Sequence, residues 1–172
     1  MANTVPLLDD AQIEALMQEV KDPELPFLDI VELGIYRGFR WREETLVVQL
    51  TPTYTGCPAL RVLEDRVKER LAEAGVESVE VEWIYAPAWS TDWISESARE
   101  KMKAFGIAPP LPSTDTPGAN VKLLFSDQPP RVPCPYCQST NTRQSSEFGP
   151  TACKALWVCQ DCKQPFEYFK CL

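Results

Sequence analysis

The sequence predicts an α+β fold: helices packed on one small sheet, followed by a cysteine-rich metal ribbon. Three observations predict it. Helical and strand-like apolar patterns succeed one another in the order α-β-β-α-β-α up to about residue 106. Seven of the sixteen prolines then fall in residues 107–133. Beyond them come six of the seven cysteines, four of them as two C-x-x-C pairs. The expected organisation is an α+β domain over 1–106, a proline-rich linker or arm over 107–133, and a ribbon module over 134–172.

The first helix is announced by Asp9 with Gln12 three residues on, a capping-box pair, followed by Ile13, Leu16, Met17 and Val20 at helical spacing. It should stop near KDPELP, because Pro23 removes a backbone donor and disfavours helix at Asp22. The β-rich runs GIYRGFRW and TLVVQLTPT, separated by REE, read as two antiparallel strands joined by a tight turn, the second leading into Cys57. Pro58 suits the first position of a second helix, whose apolar stripe is Leu60, Leu63, Val67 and Leu71 and whose stop is Gly75. VESVEVEWIYAP alternates apolar and acidic residues like a half-buried strand. A third helix is expected from about Trp93 to Phe105, opened by STD and closed by Gly106. Within the proline-rich stretch only VKLLF resembles a strand.

Charge and composition exclude several classes of function. A net charge of -8 with no basic run argues against nucleic acid, since phosphate binding needs clustered cations. The opening MANTVPLLDDAQ has neither the cationic leader nor the apolar core of a signal peptide, and no stretch approaches the roughly eighteen apolar residues of a membrane span. A cytoplasmic protein off the membrane is expected. Histidine is absent, which removes the commonest general base and the Ser-His and Cys-His nucleophilic pairs. Seven cysteines, an odd number, in a reducing compartment point to metal rather than to disulfides.

Cys134, Cys137, Cys159 and Cys162 form two C-x-x-C knuckles separated by twenty-one residues, a spacing that lets four sulfurs close a tetrahedron. Structural Zn2+ is the leading expectation, with iron or a cluster as the alternative. A segment this short buries too little apolar area to fold alone, so the metal should supply much of its folding free energy. Trp157, Phe166, Tyr168 and Phe169 could pack beside the site or face a partner, with core packing the expected role for most of them. Cys153 and Cys171 remain as additional thiols, either a buried small hydrophobe and a free terminal thiol, or extra ligands near the ribbon.

Cys57 stands apart, where a strand hands over to a helix. The positive end of the helix dipole would favour its thiolate. On position alone the favoured reading is a buried cysteine capping the helix. Thr51, Thr53, Thr55 and Gly56 surround it with hydroxyl and backbone donors, and the DPE run contributes Asp22 and Glu24 as carboxylates that could come near it.

KDPELPFLDIVELGIYRG followed by TPTYTGCPA resembles the MIP18 or DUF59 family of iron–sulfur assembly factors, whose hallmark cysteine follows a threonine-containing strand. APAWSTDWISESAREKMKAFGIAPP and the segment running from CPYC to FKC extend the resemblance over nearly the whole chain, towards the branch that accompanies the multicomponent phenylacetyl-CoA epoxidase of phenylacetate degradation. The resemblance implies a MIP18-like domain, with helices on a mixed three- to four-stranded sheet, ahead of the zinc ribbon. It implies that Cys57 handles iron or a cluster transiently, with Asp22 and Glu24 in the family's acidic motif and Thr53 and Thr55 beside the thiol. It also implies a non-catalytic accessory factor whose partners are epoxidase components, the ferredoxin-type reductase first among them. A two-iron cluster usually takes about four protein ligands. Two copies of the chain would therefore share it, as a homodimer, or a client would complete the ligand set. A zinc-binding scaffold subunit of the oxygenase is the alternative.

Overall fold

The structure is a computed structural model that describes residues 8–54, 56–111 and 131–170. It forms two compact units, residues 1–89 and 90–172. The α+β class expected from sequence is the class observed.

In the first unit, helix α1 spans Asp10–Glu19, and the expected capping box is complete: Gln12 N–H donates to Asp9 at 2.8 Å and Asp9 N–H to the Gln12 side chain at 2.9 Å. Strands β1 (Tyr36–Arg42) and β2 (Thr45–Leu50) pair antiparallel around a two-residue turn in which Glu43 takes a φ of 56°. Helix α2 spans Leu60–Glu73, and β3 (Val79–Trp83) returns parallel to β2, giving a mixed sheet in the order β1-β2-β3. Period-2 alternation puts Leu46, Val48 and Leu50 in register with Val79, Val81 and Trp83 on one face. Leu63, Val67 and Leu71 of α2 and Ile13 and Met17 of α1 are buried with them. On the opposite face Arg40 pairs with Glu82 through two hydrogen bonds of 2.7 and 3.0 Å, and Arg42 with Glu80 at 2.5 Å. Both pairs reach across β2, which explains how Val47 between them is buried. The Arg40 and Gln49 donors hold the Glu82 carboxyl down at about 2.

The connection from α1 to β1 is part of the core, with Leu25, Leu28, Ile30, Leu33 and Ile35 all buried. Two aspartates shape it. Asp22 accepts from the Glu24 and Leu25 N–H groups at 2.8 and 2.9 Å, and Asp29 accepts from Val31 and Glu32 at 3.1 and 2.8 Å. Lys21 and Asp29 form an isolated bridge and an ion pair at 3.2 Å.

The second unit opens with a 3-10 turn over Thr91–Trp93, capped by Ser90, and helix α3 over Glu96–Ala104, capped by Ser95. The sequence predicted one helix from about Trp93. The structure divides it, because Ser95 in extended conformation accepts from Ala98 N–H and starts a new helix. The sequence also placed the domain boundary after Gly106, whereas α3 falls in the unit of the ribbon. The cause is local: β4, only Ile107–Ala108, leaves α3 directly and pairs parallel with β7. The ribbon strands are β5 (Thr142–Ser146), β6 (Lys154–Cys159) and β7 (Pro165–Phe169), and the sheet order is β4-β7-β6-β5. Ala108, Val132, Cys134, Ala155, Trp157, Cys159 and Phe166 form its core, with Trp157 edge-on to Tyr168 at 6.1 Å. The VKLLF run lies outside the described residues.

Gly106 ends α3 at a φ of +76°, and a Cβ built there would run into the Tyr136 hydroxyl. Tyr136 is exposed and its tip can swing aside, so the backbone conformation sets most of the cost. Gly106→Ala is expected to lower stability by about 1–2 kcal/mol, measured as a lowered midpoint of chemical unfolding of the full chain.

Candidate functional sites: a lone thiol and a four-thiol centre

Cys57 follows a loop anchored at its start by Thr51, whose N–H donates to Ile35 at 2.8 Å and whose hydroxyl bonds the Ile84 carbonyl. The chain then turns, with Cys57 N–H on the Tyr54 carbonyl and Leu60 N–H on the Cys57 carbonyl. Helix α2 begins at Leu60, two residues past Pro58, and not at Pro58 as the sequence predicted: residues 58 and 59 are spent on this turn, and Ala59 is the N-cap.

The half-buried Cys57 thiol is pushed up from its ordinary 9.0, first by burial, then by the negative charge of Glu24 and, more weakly, Asp22; the Ala59 N–H and a Tyr54 hydrogen bond pull the other way. Of the two readings the position offered, this favours the buried cysteine over the dipole-stabilised thiolate. Burial and the two carboxylates of the DPE turn outweigh a helix terminus that starts three residues further on. Asp22 is itself buried and its carboxyl raised by burial, with Arg66 acting in the opposite sense. Arg66 also donates to the Lys21 carbonyl at 2.6 Å, so α2 is tied to the DPE turn. Sequence reasoning missed Arg66 because an arginine on a helix face carries no pattern that names its partner. Thr53 lies half-buried in the loop, and Thr55 is outside the described residues.

The arrangement can bind a cation better than it can hold a bare thiolate. Carboxylates that disfavour Cys57 ionisation become favourable once a metal brings its own positive charge. Alkylation of Cys57 is expected to be slow at neutral pH and to keep rising above pH 9, because a raised pKa leaves little thiolate below it. Glu24→Gln should shift that rate profile to lower pH. An unshifted profile, read by mass spectrometry of the Cys57 peptide after iodoacetamide pulses, would contradict the electrostatic reading.

In the second unit, Cys134, Cys137, Cys159 and Cys162 place their sulfurs within 4.8 Å of one another. The knuckles repeat the same backbone pattern. Cys134 N–H bonds the Ser139 carbonyl at 2.9 Å and Cys159 N–H the Gln164 carbonyl at 3.0 Å, while Gln138 and Lys163, each just after a knuckle's second cysteine, take φ values of 63° and 64°. The sulfurs meet across the knuckles, Cys134 with Cys162 at 3.7 Å and Cys137 with Cys159 at 3.5 Å. Disulfides would need about 2.05 Å, whereas sulfurs around a tetrahedral Zn2+ at about 2.3 Å stand about 3.8 Å apart. The spacing fits such an ion. Backbone N–H groups of Cys162 and Asp161 hold the Cys159 thiol down at about 7. Cys137 and Cys162 are raised, the N–H groups of Ser139 and Gln164 favouring their thiolates but burial and neighbouring thiols outweighing them. Four thiols this close need a cation before all can ionise.

Cys153 is buried, within 3.1 Å of the Thr151 hydroxyl, and is not among the four; Cys171 lies outside the described residues. Among the described residues no helix is long and apolar enough to cross a membrane.

Fold and sites together define the class: a small α+β domain with one half-buried cysteine ahead of its second helix, and an all-cysteine ribbon. A family described as iron–sulfur cluster assembly protein matches residues 10–83, and one described as PaaD zinc beta ribbon domain matches residues 119–170. The crystal structure of a DUF59 domain from Bacillus anthracis superposes with a TM-score of 0.50 and 30% identity, covering 54% of this chain and 90% of that one. The Fe-S protein maturation auxiliary factor YitW of Bacillus subtilis is 35% identical over 89 residues, 51% of this chain and 86% of that protein. A putative 1,2-phenylacetyl-CoA epoxidase subunit of Escherichia coli K12 is 41% identical over 161 residues, 94% of this chain and 92% of that protein. The chain belongs to the family of that epoxidase subunit, a DUF59-type domain carrying a zinc ribbon.

Proposed function

We propose that this protein is a non-catalytic, cytoplasmic accessory factor that holds iron or an iron–sulfur cluster transiently at Cys57 and passes it to a component of a phenylacetyl-CoA epoxidase. The observation that carries the reading is the placement of Asp22 and Glu24 within electrostatic reach of the Cys57 thiol. The likeness to an epoxidase subunit and to iron–sulfur maturation factors supports the pathway and the cargo.

The cargo is delivered by ligand exchange. The thiol proton passes to solvent as the bond between iron and the Cys57 sulfur forms; on transfer that bond breaks, a client thiol gives its proton to solvent and takes the iron as thiolate, and Cys57 takes a proton back from solvent. No electron moves. Weak ligation by one thiol and two carboxylates favours release, and either a second copy of the chain or the client completes the ligand set. Thr53, half-buried in the same loop, is a candidate hydroxyl donor to the cargo. The client is the ferredoxin-type reductase, whose two-iron cluster must be installed. The ribbon holds Zn2+ through Cys134, Cys137, Cys159 and Cys162 and forms the docking module.

Epoxidase reductase isolated from cells lacking this protein should be deficient in iron and sulfide. A fully loaded reductase from those cells would contradict the proposal and favour a scaffold subunit that binds zinc alone.

A further inference from the structure

The two knuckles are joined by a side-chain bridge that needs no metal. Asp161, the second of the two residues inside the CQDC knuckle, accepts from the Ser139 hydroxyl at one carboxylate oxygen and from the Asn141 amide at the other, the latter at 2.7 Å. Asn141 closes the circuit: its N–H donates to the Ser139 hydroxyl oxygen at 3.0 Å, and its carbonyl accepts from Gln160 N–H at 2.8 Å. The same two residues that meet by side chain also donate by backbone to sulfur, Ser139 to Cys137 and Asp161 to Cys159. Those are the two sulfurs that face each other at 3.5 Å. The bridge therefore spans the Cys137–Cys159 edge of the tetrad, outside the metal coordination.

Its position matches a need. The opposite edge is backed by the hydrophobic cluster, in which Cys134 is fully buried and against which Cys162 packs. Cys159 belongs to the same cluster, so of the four sulfurs only that of the exposed Cys137 has no apolar packing to fix it. We propose that Asp161, bridging Ser139 and Asn141, is a positioning residue that presets the four-cysteine site and makes the ribbon's metal a slowly exchanging resident, unlike the cargo handled by Cys57. Four free thiols otherwise diverge, and fixing them before the ion arrives removes part of the ordering cost from binding. Groups that orient metal ligands from behind commonly change affinity about 10–100-fold. The inference depends on the four cysteines binding metal and not on the identity of the client.

The test is Zn2+ affinity and Zn2+ release to a chromogenic chelator, on the full-length chain, with the visible spectrum of the Co2+-substituted form. Asp161→Ala should weaken Zn2+ binding about 10–100-fold and speed release. Asp161→Asn, which keeps acceptor capacity, should fall between wild type and Asp161→Ala, and Ser139→Ala should add little on top of Asp161→Ala. Ser145→Ala removes a ribbon hydrogen bond to Leu156 away from the knuckles and serves as the control. Unchanged affinity in Asp161→Ala, full additivity with Ser139→Ala, or an equal loss in Ser145→Ala would each overturn the bridge as a positioning device. A wild-type chain that takes up neither Zn2+ nor Co2+ would instead overturn the metal site on which it depends.

Discussion

Cys159→Ser is expected to abolish stoichiometric metal binding and to unfold the ribbon while residues 8–89 stay folded. Cys159 is the best-prepared ligand, buried in the ribbon core and with its thiol held down at about 7 by two backbone N–H groups. The ribbon core is a handful of side chains around Trp157 and Phe166. Burial on that scale does not offset the backbone entropy of some forty residues at about 1–2 kcal/mol each, and structural zinc supplies about 10–16 kcal/mol in comparable small modules. The first unit has its own core in Ile13, Met17, Leu46, Val48, Leu63 and Leu71. Limited proteolysis with mass spectrometry should therefore show rapid cleavage between 131 and 170 and a resistant fragment ending near 89. Protection of the ribbon in Cys159→Ser would mean that the metal is not what folds it.

Cys57→Ser is expected to do the reverse: it should leave fold and zinc content unchanged and remove cluster delivery. The residue is half-buried in a loop, and serine is nearly isosteric, so the stability change should stay within about 1 kcal/mol. A serine hydroxyl does not replace a thiolate toward iron at neutral pH. Reductase produced beside Cys57→Ser should carry as little iron and sulfide as reductase produced with no accessory protein at all. Asp22→Asn separates charge from structure. Asparagine keeps the acceptor for the Glu24 and Leu25 N–H groups but removes a buried carboxylate. The Asp22 carboxyl is raised in the folded chain, so its stabilising contribution is present below about pH 3.8 and lost as pH rises through the folded value. Burial disfavours the ionised form of Asp22 in the folded chain, so Asp22→Asn should not lower the melting temperature even as it weakens iron uptake.

Much of this was legible in the sequence, for reasons that differ by element. The α1 capping box, the β1–β2 hairpin and the C-x-x-C pairs are local patterns, and local patterns survive folding when nothing competes with them. The start of α2 was displaced because Pro58 serves a turn that orients Cys57 before the helix begins. The grouping of α3 with the ribbon hangs on two residues, Ile107 and Ala108, too few to carry a strand period. The charge state of Cys57 depends on burial and on carboxylates more than thirty residues away in sequence, which no local reading of the helix start could weigh. Asp161, Ser139 and Asn141 look like ordinary turn residues until the knuckles are brought face to face.

The central claim is that Cys57 holds the cargo and the ribbon holds a separate, resident metal. The most direct measurement is the content of iron, zinc and acid-labile sulfide per chain, with the visible spectrum, in anaerobically prepared wild type and Cys57→Ser. The account predicts equal zinc in both, with iron and sulfide in wild type alone. Equal iron and sulfide in the two proteins, or none in either while zinc is full, would contradict it.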